Sequence, residues 1–158
     1  LKLKNLSISK NKLSVEDVLK LSNLAENYSV FELSDNYLAK NFKKVSNILN
    51  ENNYSDEDCI LIIRTILNKS KRLLKIRNEL DSNENIDQVI SSFKPPIFWK
   101  EKPIMLQHAK MWQKQTLKEA LLYIGHTEEI IKKNSYLNST TLLKNSITNL
   151  CAKTWSYF

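Results

Sequence analysis

Residues suited to catalysis are few and scattered along this chain. His108 and His126 are the only histidines, and Cys59 and Cys151 the only cysteines. None of them has the short, repeated spacing that gathers zinc ligands. Glu128 and Glu129 are adjacent, so on a helix they point about 100° apart and make a poor carboxylate pair. The chain contains no GxxxxGK[ST] phosphate loop, no GxGxxG turn, no GxSxG elbow and no HExxH helix. Its single glycine, Gly125, leaves little means of building a backbone nest around a phosphate. No catalytic residue, cofactor site or metal site is therefore assigned, and a non-enzymatic chain is expected. The histidines read as surface or interface residues. The cysteines each sit in an apolar helical pattern and read as buried free thiols.

Rings and cations offer a different chemistry, that of recognition. The stretch "SSFKPPIFWKEKPIMLQHAKMW", residues 91–112, crowds prolines, aromatics and lysines together. Pro95 and Pro96 stop one helix. Pro103 is either a first-turn residue of the next helix or a kink within a longer one. Phe98 and Trp99 are neighbours and cannot share one core face, so one is expected to be buried and the other free for a partner, with Lys94, Lys100 and Lys102 close by. Trp112 is expected in the core. A second basic feature lies upstream. From Cys59 to Asn78 there are six basic residues and no acid. On a helical wheel Arg64, Lys71, Arg72 and Lys75 share one arc, opposite Ile62, Ile63, Ile66, Leu67, Leu73 and Leu74; Arg77 is a further basic candidate. Such a stripe fits a solvated face, a phosphate-binding face or a surface for an acidic subunit.

Helices must carry all of this. The chain has 158 residues, 42% of them apolar, with one Gly and three Pro. That is enough for one buried core and too little turn chemistry for hairpins, so the expected fold is all-α. Periodicity places helices near 14–22, 29–39, 41–52, 56–80, 85–93, 98–113, 116–133 and 139–154. Four starts carry a Ser/Thr-x-x-acid capping pattern: Ser14–Asp17, Ser29–Glu32, Ser55–Asp58 and Thr116–Glu119. Gly125 reads as a close helix approach or a mild kink. Residues 1–13 look like a connector from a preceding domain, and the first residue, Leu1, suggests a longer parent chain. The net charge of +7 and pI near 9.3 suit nucleic acid or an acidic protein. No apolar run nears membrane-spanning length and no signal peptide is evident, so a soluble, cytoplasmic chain is expected.

"FKPPIFWKEKPIMLQHAKMW" followed by "TLKEALLYIGHTEEIIKKN" resembles the C-terminal part of the delta subunits of the bacterial DNA polymerase III clamp loader. The upstream "EDV" helix, the Ser-capped "VFEL" helix and the basic helix are similar in order and spacing. The resemblance implies a helical collar domain over 28–158, preceded by the tail of an AAA+ lid domain over 1–27. It implies a non-catalytic part of the polymerase holoenzyme with no ATP site and no cofactor. It also implies assembly with the collars of delta prime and the gamma/tau ATPase subunits. The sliding clamp would be met only through an N-terminal domain that lies outside this sequence. In such collars, aromatics near the bulky pair and before the last helix can lie on a primer–template junction. The matching positions are Phe98 or Trp99, and Tyr136, with Lys100 and Lys102 near phosphates. Stacking on exposed bases contributes about 1–3 kcal/mol per base. The alternative is a stand-alone helical nucleic-acid binder that uses the basic helix 56–80.

Overall fold

Ser55 starts the helix on which the rest of the molecule packs. Its hydroxyl accepts from the Asp58 N–H at 3.2 Å, and the Asp58 carboxylate accepts from the Ser55 N–H at 2.9 Å. This reciprocal box satisfies two orphan donors. Asp56, Glu57 and Asp58 in the first turn also complement the positive end of the helix dipole. In the computed structural model, which describes residues 29–82, 85–134 and 136–155, the described elements are seven helices with no strand. They are α1 (29–38), α2 (Phe42–Glu51), α3 (Asp56–Asp81), α4 (Ile86–Ser91), α5 (Lys102–Met111), α6 (Lys114–Lys133) and α7 (Ser139–Trp155). The all-α expectation holds. The helix expected near 14–22, its Ser14 cap and the proposed lid tail over 1–27 lie outside the described residues.

The other helix starts show where local signals succeed and fail. Asn41 caps α2 by accepting from the Lys44 N–H at 3.2 Å, just after Lys40 turns the chain with φ 55°. Asn85 caps α4 by accepting from the Asp87 N–H. Two expected starts need correction. Residues 98–101 are a turn, and α5 begins only at Lys102. Pro103 is therefore a first-turn residue, where its missing N–H costs nothing. Likewise α6 starts at Lys114, two residues before Thr116, which is not its cap. The buried Trp112 and the extended Gln113 set that start, and Glu119 binds Gln115 rather than reaching back.

A three-helix layer forms the centre. Ile62, Ile63, Ile66, Leu67, Leu73 and Ile76 of α3 are buried against Leu117, Ala120 and Ile124 of α6 and Leu143, Ile147 and Leu150 of α7. Thr140, the second residue of α7, donates to the Tyr54 carbonyl just before α3. Glu128 near the end of α6 meets Arg64 near the start of α3. The α6 helix therefore runs antiparallel to α3, and α7 returns parallel to it. The α4 and α5 helices pack on the later half of α3, and α2 touches α7. Gly125 sits within unbroken helix, and a Cβ there would meet nothing within 4 Å. The expected close approach at this glycine is absent.

Candidate functional site

The proline–aromatic loop is laid along α3. Phe93 and Ile97 are each 6% exposed and fill the core. The rings that follow are left outside, Phe98 at 56% and Trp99 at 67% exposed. This corrects the expectation that one of the two would be buried: Ile97 takes the inward position, and the turn closed by the Glu101 N–H donating to the Phe98 carbonyl at 2.8 Å carries both rings outward. Their centroids lie 5.8 Å apart at 46°. Lys100 Nζ lies 5.2 Å from the Trp99 centroid, a cation–π arrangement on the exposed side. Below, Lys75 Nζ sits 4.7 Å from the Phe93 ring, and Arg72 points a guanidinium N–H at the Pro95 carbonyl across 3.5 Å. Lys102 is half-buried at the start of α5.

The basic stripe is not a uniform free surface. Arg64 donates to Glu128 at 2.9 Å, and Lys132 donates to the same carboxylate from one turn along α6. Lys132 and Arg64 together hold the Glu128 carboxyl below its usual range. Arg77 pairs with Asp81 at 3.1 Å and lies apart from the stripe, with its Nε buried and unbonded. Lys75 is spent on Phe93, and Lys71 remains exposed with no partner among the described residues. The acids that pair with this helix come from α1 and α6 and from its own last turn, so the acid-free run 59–78 could not reveal them.

Tyr136 is separated from the other rings. It is 81% exposed, and its hydroxyl bonds Asn134 at 3.0 Å. Its loop is tied to the start of α3, where Thr140 meets Tyr54 and Cys59. The Phe98–Trp99 loop meets α3 at Arg72 and Lys75. Residues 59 and 72 are about 20 Å apart along a helix at 1.5 Å per residue. The structure groups Phe98, Trp99, Lys100 and Arg72 and leaves Tyr136 near the other end of α3.

Trp112 is core, as expected, at 1% exposed. Both cysteines are buried and free, and burial pushes the Cys151 thiol up to about 12. His126 is an exposed residue 3.9 Å from Glu129. His108 departs from the surface reading: it is 6% exposed, between the core positions of α5 and a cleft. No cluster of three metal-ligating side chains occurs among the described residues, and no described helix is long and apolar enough to cross a membrane. Sequence reasoning missed one grouping, Asp35, Lys69, Arg72 and His108, which line that cleft from three helices. Lys69 and Arg72 share a face of α3 at i,i+3, but Asp35 and His108 lie more than thirty positions away on other helices, so local spacing could not have assembled the group. The chain matches no family model, no curated protein and no solved structure.

Proposed function

We propose that this chain is an assembly module, the collar domain of a clamp-loader delta subunit, which holds the loader together while a sliding clamp is placed on primed DNA. The reading rests on the order of the sequence motifs and on one geometric observation, not on a match to a known protein. That observation is the pair of adjacent exposed rings, Phe98 and Trp99, on a loop braced against α3 beside Lys100. Large apolar rings held at the surface suit a partner surface or stacked bases. In this role the exposed helix faces pack against the collars of delta prime and the gamma/tau subunits, Phe98 and Trp99 approach the primer–template junction, and the protein works in the cytoplasm. Tyr136, at the far end of α3, serves a separate contact.

The exposed, unpartnered Lys71 supports a second reading, a stand-alone binder that tracks phosphates along α3. Arg64 and Arg77 count against it, because each already holds an acid. Sedimentation of the chain, alone and mixed with the collar regions of the other loader subunits at low and high salt, separates the two. A mixed species that survives high salt supports the collar. A chain that stays monomeric with every partner, yet shifts primed DNA only at low salt, supports the phosphate binder through counterion release. The double substitution Phe98→Ala, Trp99→Ala should leave helicity and Tm unchanged and weaken primed-DNA binding about fivefold or more, from stacking worth about 1–3 kcal/mol per base. No loss of either DNA binding or assembly in that variant would remove the loop from the account.

A further inference from the structure

Between α1, α3 and α5 lies a cleft of about 250 Å³. His108 lines it while only 6% exposed, yet neither ring nitrogen has a hydrogen-bond partner among the described residues. Neither nitrogen is among the fully buried atoms that lack a partner, so the ring edge opens onto the cleft. Its charged neighbours are Asp35 and Lys69, which pair with each other. Burial lowers the His108 pKa, so the resting ring is neutral and offers one N–H and one bare nitrogen.

The remaining lining sets the chemistry of an occupant. Arg72 follows Lys69 at i,i+3 on the same face of α3. Its guanidinium makes a single contact, the 3.5 Å approach to the Pro95 carbonyl, and it pairs with no acid. Asp35 is already engaged by Lys69, and Glu101 stands exposed among the lining residues. The lining thus carries two cations and two carboxylates; with Lys69 and Asp35 paired to each other, Arg72 is the lining cation that holds no acid. The walls are apolar, built from Leu38, Leu73, Ile104 and Met105.

We propose that this cleft binds a small amphipathic carboxylate. Its carboxylate accepts from Arg72 and the His108 N–H, and its apolar body lies against Leu38, Leu73, Ile104 and Met105. A planar carboxylate matches the guanidinium fork. One carboxylate balances Arg72, the lining cation without an acid, while a second negative charge would meet only Asp35 and Glu101. An uncharged apolar guest would leave Arg72 and His108 unpaired, which costs binding energy. Size agrees, since a cavity of roughly 150 Å³ holds benzene, so this one admits a single ring with a carboxylate arm. The site does not depend on the collar reading and would exist in a protein of either proposed function.

The test titrates the full chain with phenylacetate and follows the His108 ring signal by NMR. The control ligand is 2-phenylethanol, which carries the same ring without the charge. A saturable His108 shift is expected with phenylacetate, and Arg72→Gln should weaken it at least about tenfold, the loss of one charged hydrogen bond. Lys118→Gln, which removes the same charge from an exposed site on α6, should leave binding unchanged. The proposal is overturned by the absence of a saturable shift at millimolar phenylacetate, by equal affinity for 2-phenylethanol, or by equal weakening in Lys118→Gln and Arg72→Gln.

Discussion

Trp112 ends α5 and at the same time closes α1. Its indole N–H donates to the Leu38 carbonyl at 2.8 Å, one of the acceptors left without an intrahelical donor at the end of α1. The Tyr37 ring packs 5.6 Å away at 48°, and Lys40 Nζ lies 5.0 Å from the indole. Trp112→Phe keeps an aromatic ring but orphans a buried carbonyl, so it should cost about 1–3 kcal/mol. The check is a lower urea midpoint with an unchanged slope and unchanged helicity. An unchanged midpoint would mean that water replaces the bond. Trp112 was legible in the sequence because a large apolar ring at a helix end has few alternatives to burial. His108 was not, because polar type argues for the surface and only the packing of α1 against α5 covers it.

Helix α6 carries a flaw that packing does not require. Gly125 lies in its middle, within continuous helix, and a Cβ there would touch nothing within 4 Å. Glycine costs about 1 kcal/mol relative to Ala in such a position, through the greater freedom of the unfolded chain. Gly125→Ala should therefore raise stability by about that amount, seen as a higher Tm. A fall in Tm would show that a close approach exists after all. The same helix shows where local motifs mislead. Thr116 and Glu119 have capping-box spacing, but the start of α6 is placed by Trp112 upstream. Ser55 and Asp58 have the same pattern and do form the box, because a polar turn precedes them and nothing competes for the helix start.

At the scale of the whole molecule, one contribution to stability at low pH comes from Glu128, half-buried where α3 and α6 meet. Lys132 and Arg64 keep its folded-state pKa below the ordinary 4.5. A carboxyl with a depressed folded pKa stabilises fully above its unfolded value, and that contribution disappears as pH falls through the folded value. Glu128→Gln should thus lower Tm slightly at neutral pH, by the modest amount a partly exposed ion pair contributes. The difference from the parent should vanish in acid below the carboxylate range. Thermal melts across that range check it; a difference that persists in acid would mean that Gln disturbs packing rather than charge. Because the chain carries +7 at neutral pH, losing this negative charge also adds to self-repulsion.

The sequence by itself determined that the chain is helical, where most helices lie, and which residues of α3, α6 and α7 face inward, because a 3.6-residue apolar period leaves few ways to bury that surface. It also marked residues 91–112 as a break crowded with rings, because prolines forbid helix whatever surrounds them. Only the tertiary structure decided that Phe98 and Trp99 both face outward, that Arg64 is neutralised by Glu128, that Tyr136 sits far from the other exposed rings, and that His108 meets Asp35 and Lys69 at a cleft. Each of these depends on which distant helix lies alongside, through ion pairs and burial between residues tens of positions apart. Local spacing carries no information about such pairings; packing of the α3 hub creates them.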